Sequence, residues 1–159
     1  MLEYYPRPEI LDWARKLLAE KYAKERVVLV THQMIHYNNK IARGAMDTWE
    51  KLVAISPNIK MVLCGHSCED ISDFEKSVGF LTAKNSSGGD VQIMMFNPQC
   101  IGGGFAGNGG DGWLRILEFT PDGKTINVKT YSPLFGISPL TKRFAWRTAE
   151  FDMFSFPLQ

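Results

Sequence analysis

The sequence predicts an α/β fold, a mixed sheet with two helices on one side that leads into an antiparallel meander. Three observations carry that expectation. Two short runs, "RVVLVTH" and "IKMVLCGH", have the unbroken, valine-rich texture of strands covered on both faces. Each follows a stretch with helical spacing, which is the order of an α/β unit. Beyond residue 75 the helical period gives way to strand-like runs set apart by turn residues.

The elements follow in order. "PRPEILDWARKLLAEKYAKE" opens on prolines suited to a first helical turn, and Ile10, Trp13 or Ala14, Leu17, Leu18 and Ala23 roughly keep a 3.6-residue period. "RVVLVTH" is the first strand and ends on His32. "ARGAMDTWEKLVAI" reads as a second helix closed by "SPN", and "IKMVLCGH" is a second strand ending on His66. Four strand-like runs come next: "SVGFLTAKN", "DVQIMMFNP", "WLRILEFT" and "TINVKTYS", with "TPDGKT" a hairpin turn between the last two. The insert "GGGFAGNGGDG", residues 102 to 112, has too little side chain to pack and reads as a mobile loop. The tail from 132 to 159 carries Phe135, Phe144, Trp146, Phe151, Phe154 and Phe156. So many aromatic side chains predict packing on the body or on another chain.

A length of 159 residues with 45% hydrophobic content fits one domain, 1–159, able to bury a core. The formal charge of +1 gives no field that would steer the whole molecule to nucleic acid or anionic lipid. No apolar run approaches the roughly 18 to 20 residues of a membrane span, and "MLEYYPRPEI" lacks the order of a secretory signal. Cys64, Cys68 and Cys100 are an odd set at spacings that suggest no disulfide framework, which leaves the redox compartment open.

Chemistry gathers at the strand ends. In a mostly parallel sheet the carboxyl ends of neighbouring strands share one rim, so His32 and His66 can converge across a long stretch of sequence. Neutral imidazole is a good ligand for zinc, manganese and iron, and a strand end fixes its direction. Histidine at a buried strand end is also a common hydrogen-bonded core residue, and that plain reading stands beside the ligand one. His36, in "THQMIH", reads as a surface or loop residue.

A "TH" closing one strand and a "GH" closing the next, followed by "W" and "TYSP", resemble the carboxyl-terminal half of calcineurin-like metallophosphoesterases, from "RPEILDWA" to "KTYSP". The resemblance implies half of an α/β/β/α sandwich and metal-dependent phosphoester hydrolysis. It gives His32 the part of the late-strand histidine and His66 the first histidine of a Gly-His-x-His motif, both catalytic and metal-binding. It also implies a pair of divalent ions, Zn, Mn or Fe, acting on a phosphoester substrate. Two such ions about 3.5 to 4 Å apart polarise a phosphoryl group and supply a hydroxide near neutral pH.

The chain departs from that pattern in two places. The motif reads "GHSC", with Cys68 where the second histidine is expected, a change that suits zinc better than harder ions. The family's amino-terminal Asp-x-His, Gly-Asp-x-x-Asp and Gly-Asn-His-Asp motifs are absent, and with them the bridging carboxylates. The expected state is therefore an incomplete site in a chain that self-associates or joins a missing amino-terminal half. The alternative is a non-catalytic binding or assembly module that kept the fold.

Rival uses of single residues are weaker. Cys64, His66 and Cys68 share one face of an extended strand, but three successive same-face positions are too far apart to close on one zinc ion. Cys64 and Cys100 read as small buried apolar residues. The glycine loop lacks the strand-loop-helix order of phosphate loops, which leaves Asn108 and Asp111 a minor claim as substrate contacts.

Overall fold

A computed structural model describes residues 1–68 and 73–158, the side chain of Phe105 excepted. The chain packs as two compact units, Met1–Ser67 with Gly79–Phe96, and Cys68–Val78 with Asn97–Leu158.

The first unit begins with helix α1, Pro8–Glu20, whose first residue is the proline that a helix start tolerates. Its inward stripe is Leu11 and Ala14, with Ile10 and Leu18 against the same core. Of the two residues that could continue the period, Ala14 is buried and Trp13 is exposed. The helix ends before Ala23. Strand β1, Val27–Val30, follows, and then a 3-10 turn at Arg43–Ala45, helix α2 at Met46–Thr48 and a π-helical turn at Trp49–Val53. The second helix expected from the sequence is thus a composite of three windings. Its buried residues Ala45, Thr48, Leu52 and Val53 keep the three- and four-residue spacing that the sequence shows.

Strands β2, Ile59–Cys64, β3, Val78–Lys84, and β4, Asp90–Phe96, complete a four-stranded sheet in the order β1-β2-β4-β3. β1 runs parallel to β2, and β2 parallel to β4. β3 and β4 form a hairpin closed by Asn85, whose Oδ1 accepts from the amides of Ser87 and Gly89. The expected four-strand meander is therefore divided, because β3 and β4 join the first sheet. The reason is legible in burial. Val91 to Met95 are all buried, and a strand covered on both faces belongs in the middle of a sheet. β1 departs the other way: Val28 and Val30 are 38% and 37% exposed, so only one of its faces is covered. Met34, Leu52, Ile59, Val62 and Ile93 form the fully buried centre of this unit. Truncating one of the large aliphatic side chains there to alanine costs about 2–5 kcal/mol.

The second unit is built on an antiparallel sheet of β5, Leu114–Phe119, β6, Thr125–Tyr131, β7, Trp146–Arg147, and β8, Phe154–Pro157. The β5–β6 hairpin turns through "TPDG" as expected, with Gly123 at φ 66°. β6 alternates cleanly, burying Ile126, Val128 and Thr130. β8 lies beside it, pairing Phe156 with Ile126, so part of the aromatic tail packs on its own unit. Helix α3, Pro133–Ile137, is capped by the Ser132 hydroxyl, which accepts from the Phe135 amide. The glycine insert is a loop closed on itself: the Asn108 amide donates to the Gly102 carbonyl and Gly110 to Ile101. Asn108 Nδ2 donates to Asp111 Oδ1, which ties together the two residues considered as substrate contacts.

One expectation fails outright. Cys100 was expected to stand alone as a small apolar residue, yet Cys68 and Cys100 form a disulfide with Cα atoms 6.0 Å apart. Sequence spacing could not reveal the pair because 32 residues separate them.

Candidate metal centre

The parallel register sets Val30 beside Leu63, and the pairing continues past the strands. The Thr31 amide donates to the Leu63 carbonyl and the Gly65 amide donates to the His32 carbonyl. His32 and His66 therefore leave the same edge of the sheet. His66 takes φ 68°, the left-handed region that a non-glycine residue enters only at a cost of roughly 1–2 kcal/mol. Its ring lies with Nδ1 2.9 Å from Nε2 of His32, bringing together residues 34 positions apart.

Tyr4 closes the other side. The Leu2 amide donates to the Val30 carbonyl, which lays the first residues along β1. Tyr4 Oη then sits 3.2 Å from His66 Nε2, and its ring meets the His32 ring edge-on at 4.7 Å. Tyr5 stacks on Tyr4 at 3.9 Å and rests over Gly44, where a Cβ would come within 2.1 Å of its Cε1. Only glycine leaves room for that ring. The Tyr5 hydroxyl donates to Gln33 Oε1 at 3.5 Å.

His36 is half-buried, with Nδ1 2.5 Å from Ser67 Oγ. It sits in a loop, as expected, but is engaged there.

Partial burial, followed by the charges that His32 and His36 can carry, holds His66 below the ordinary histidine value. The neutral, metal-binding form is thereby favoured near neutral pH. The hydrogen bond that the Tyr4 hydroxyl makes to Tyr5 raises the Tyr4 phenol above its ordinary value. Burial pushes the Cys64 thiol up, in keeping with its reading as a small apolar residue.

Two imidazoles thus converge, while the third expected ligand does not join them. Cys68 is bonded to Cys100, and a disulfide sulfur is not the thiolate that binds zinc. The same bond removes Cys68 from the rival Cys64–His66–Cys68 site. Among the described residues no group of three His, Cys, Asp or Glu stands close enough to hold a metal ion. Glu69 and Asp70, which end the stretch "VLCGHSCED", lie outside the described residues.

Sequence reading missed Tyr4, Tyr5, Gln33 and the His36–Ser67 pair. The adjacent tyrosines of "MLEYYPRPEI" were the available signal, but their contact with His66 depends on the Leu2–Val30 hydrogen bond, a long-range pairing.

Compared with known protein families, curated proteins and solved structures, the chain matches none.

Proposed function

We propose that the chain is the carboxyl-terminal half of a metal-dependent phosphoester hydrolase, its site completed by residues from outside this chain. The observation that carries the reading is the 2.9 Å separation of His32 Nε2 and His66 Nδ1 at the carboxyl ends of two parallel strands. Two nitrogens on one tetrahedral zinc at about 2.0–2.1 Å stand about 3.3 Å apart, so a small spreading of the rings suffices. Such ions, when bound, supply a Lewis acid and a hydroxide near neutral pH.

The chain's own residues then have distinct parts. His32 offers Nε2 and His66 offers Nδ1. With Nδ1 committed to a metal, the proton of His66 sits on Nε2, facing Tyr4 Oη 3.2 Å away. A hydrogen bond on the far nitrogen is how ligating histidines are commonly oriented, and it makes Tyr4 a positioning residue. The exposed valines of β1 give a completing half, or a second copy, apolar surface to cover.

The second reading, a non-catalytic binding or assembly module, draws on the disulfide that engages Cys68. One experiment separates the two. The chain is assayed on an activated aryl phosphodiester with Zn, Mn or Fe, alone and then joined to an amino-terminal half bearing the family's carboxylate motifs. Turnover only in the joined protein, lowered by orders of magnitude in His66→Ala, supports the hydrolase. A joined, folded protein that stays inactive with every metal supports the module.

A further inference from the structure

The second unit contains a cavity of about 400 Å³ that no part of the metal reading uses. Its walls include Trp113, Phe135, Phe144 and Trp146, together with Arg143 and Arg147. That volume falls in the range of small-molecule pockets, and such a lining is their usual chemistry: aromatic walls with a few fixed polar groups.

The two arginines are held differently. Arg147 donates its Nε–H to Asp152 Oδ2 at 2.8 Å, and its guanidinium lies 3.7 Å over the Phe74 ring and 5.5 Å from the Trp113 ring. It is oriented before any ligand arrives. Arg143 is exposed and lies 4.6 Å over Phe144. Asp152, an acidic residue of the lining, has a fully buried side chain and is also 3.8 Å from Arg115. Among the described residues, the lining therefore sets two guanidiniums against one carboxylate that is already engaged. Trp146 packs one side on Tyr131 at 4.5 Å yet is 48% exposed, and Phe144 is 55% exposed. Large aromatic surfaces open to solvent beside positive charge are costly to leave bare and well suited to a flat anion.

We propose that this pocket binds a small planar aromatic ligand bearing one anionic group, with the ring against Trp146 and Phe144 and the anion on Arg143 and Arg147. Arginine suits carboxylate and phosphate alike, because its planar fork matches both.

The test follows the indole N–H signals of Trp13, Trp49, Trp113 and Trp146 by NMR while 2-naphthoate, 2-naphthyl phosphate or the neutral 2-naphthalenemethanol is added to the full chain. Saturable shifts of Trp113 and Trp146 with an anion, with Trp13 and Trp49 unmoved, are expected. The neutral alcohol should bind at least about tenfold more weakly, and Arg143→Gln should weaken the anions about tenfold. Trp146→Ala, at an exposed position, should lose ring binding while the fold persists. Whether carboxylate or phosphate binds more tightly names the anion. Equal binding of alcohol and anions, indifference to Arg143→Gln, or shifts spread over all four indoles would overturn the proposal.

Discussion

His66 Nδ1 lies 2.9 Å from His32 Nε2, and the approach is made by a residue in the left-handed region at φ 68°. Strained backbone of this kind persists only where surrounding structure holds it, and it is concentrated at functional sites. The histidine pair therefore has measurable consequences of its own.

His66 should titrate below the ordinary histidine value of 6.5, with burial as the first cause and His32 as the second. His32→Ala should raise its midpoint part of the way back. The lowered value means that the folded chain binds a proton to His66 less readily than the unfolded chain does. This contribution to stability is present above about 6.5 and is lost as pH falls toward the lowered value. Ring-proton NMR across that window gives the midpoint.

Gly44→Ala should displace Tyr5 without unfolding the protein. The added Cβ would meet the far end of the ring rather than backbone, so stability should fall by no more than about 1 kcal/mol. The ring signals of His66 should nevertheless shift, because Tyr4 loses the partner stacked on it at 3.9 Å. An unchanged His66 spectrum would remove Tyr5 from the account of the site.

The fold class was legible because the buried runs and the helical period depend on local composition. Val91 to Met95 show where that reading stopped: the apolar run gave the strand and its neighbour β3, but not its second neighbour, β2, which lies beside it in the first sheet. The site divided the same way. His32 and His66 stood out as strand-end histidines, whereas Tyr4 and the Cys68–Cys100 bond depend on contacts between distant segments that no spacing encodes.

In the purified, unreduced and denatured chain, thiol titration should find one reactive cysteine, Cys64, rising to three after reduction. Cys100→Ser should lower stability by about 3–4 kcal/mol, the loop-closure value for a bridge spanning 32 residues. Three thiols before reduction would return Cys68 to the list of available ligands.

Asp152→Asn should be among the most damaging substitutions in the second unit. Asp152 is fully buried against Arg147 and beside Arg115, whose side chain is 5% exposed. Burial is the main force that raises the Asp152 carboxyl and lowers Arg115 to about 10. Removing the carboxylate breaks the 2.8 Å ion pair with Arg147 inside the unit and takes a nearby negative charge from buried Arg115, a loss of about 3–5 kcal/mol. Urea unfolding, with the exposed Arg143→Gln as a reference within about 0.5 kcal/mol, measures it.

The central claim is that His32 and His66 are ligands from one incomplete centre. Its most direct measurement is a zinc titration of the 159-residue chain, followed by imidazole NMR and by metal analysis after dialysis. The account predicts at most one equivalent, weakly held, that moves the His32 and His66 ring signals together and is abolished by His32→Ala. Two equivalents of tightly bound metal, or zinc binding that leaves both rings unmoved, would contradict it.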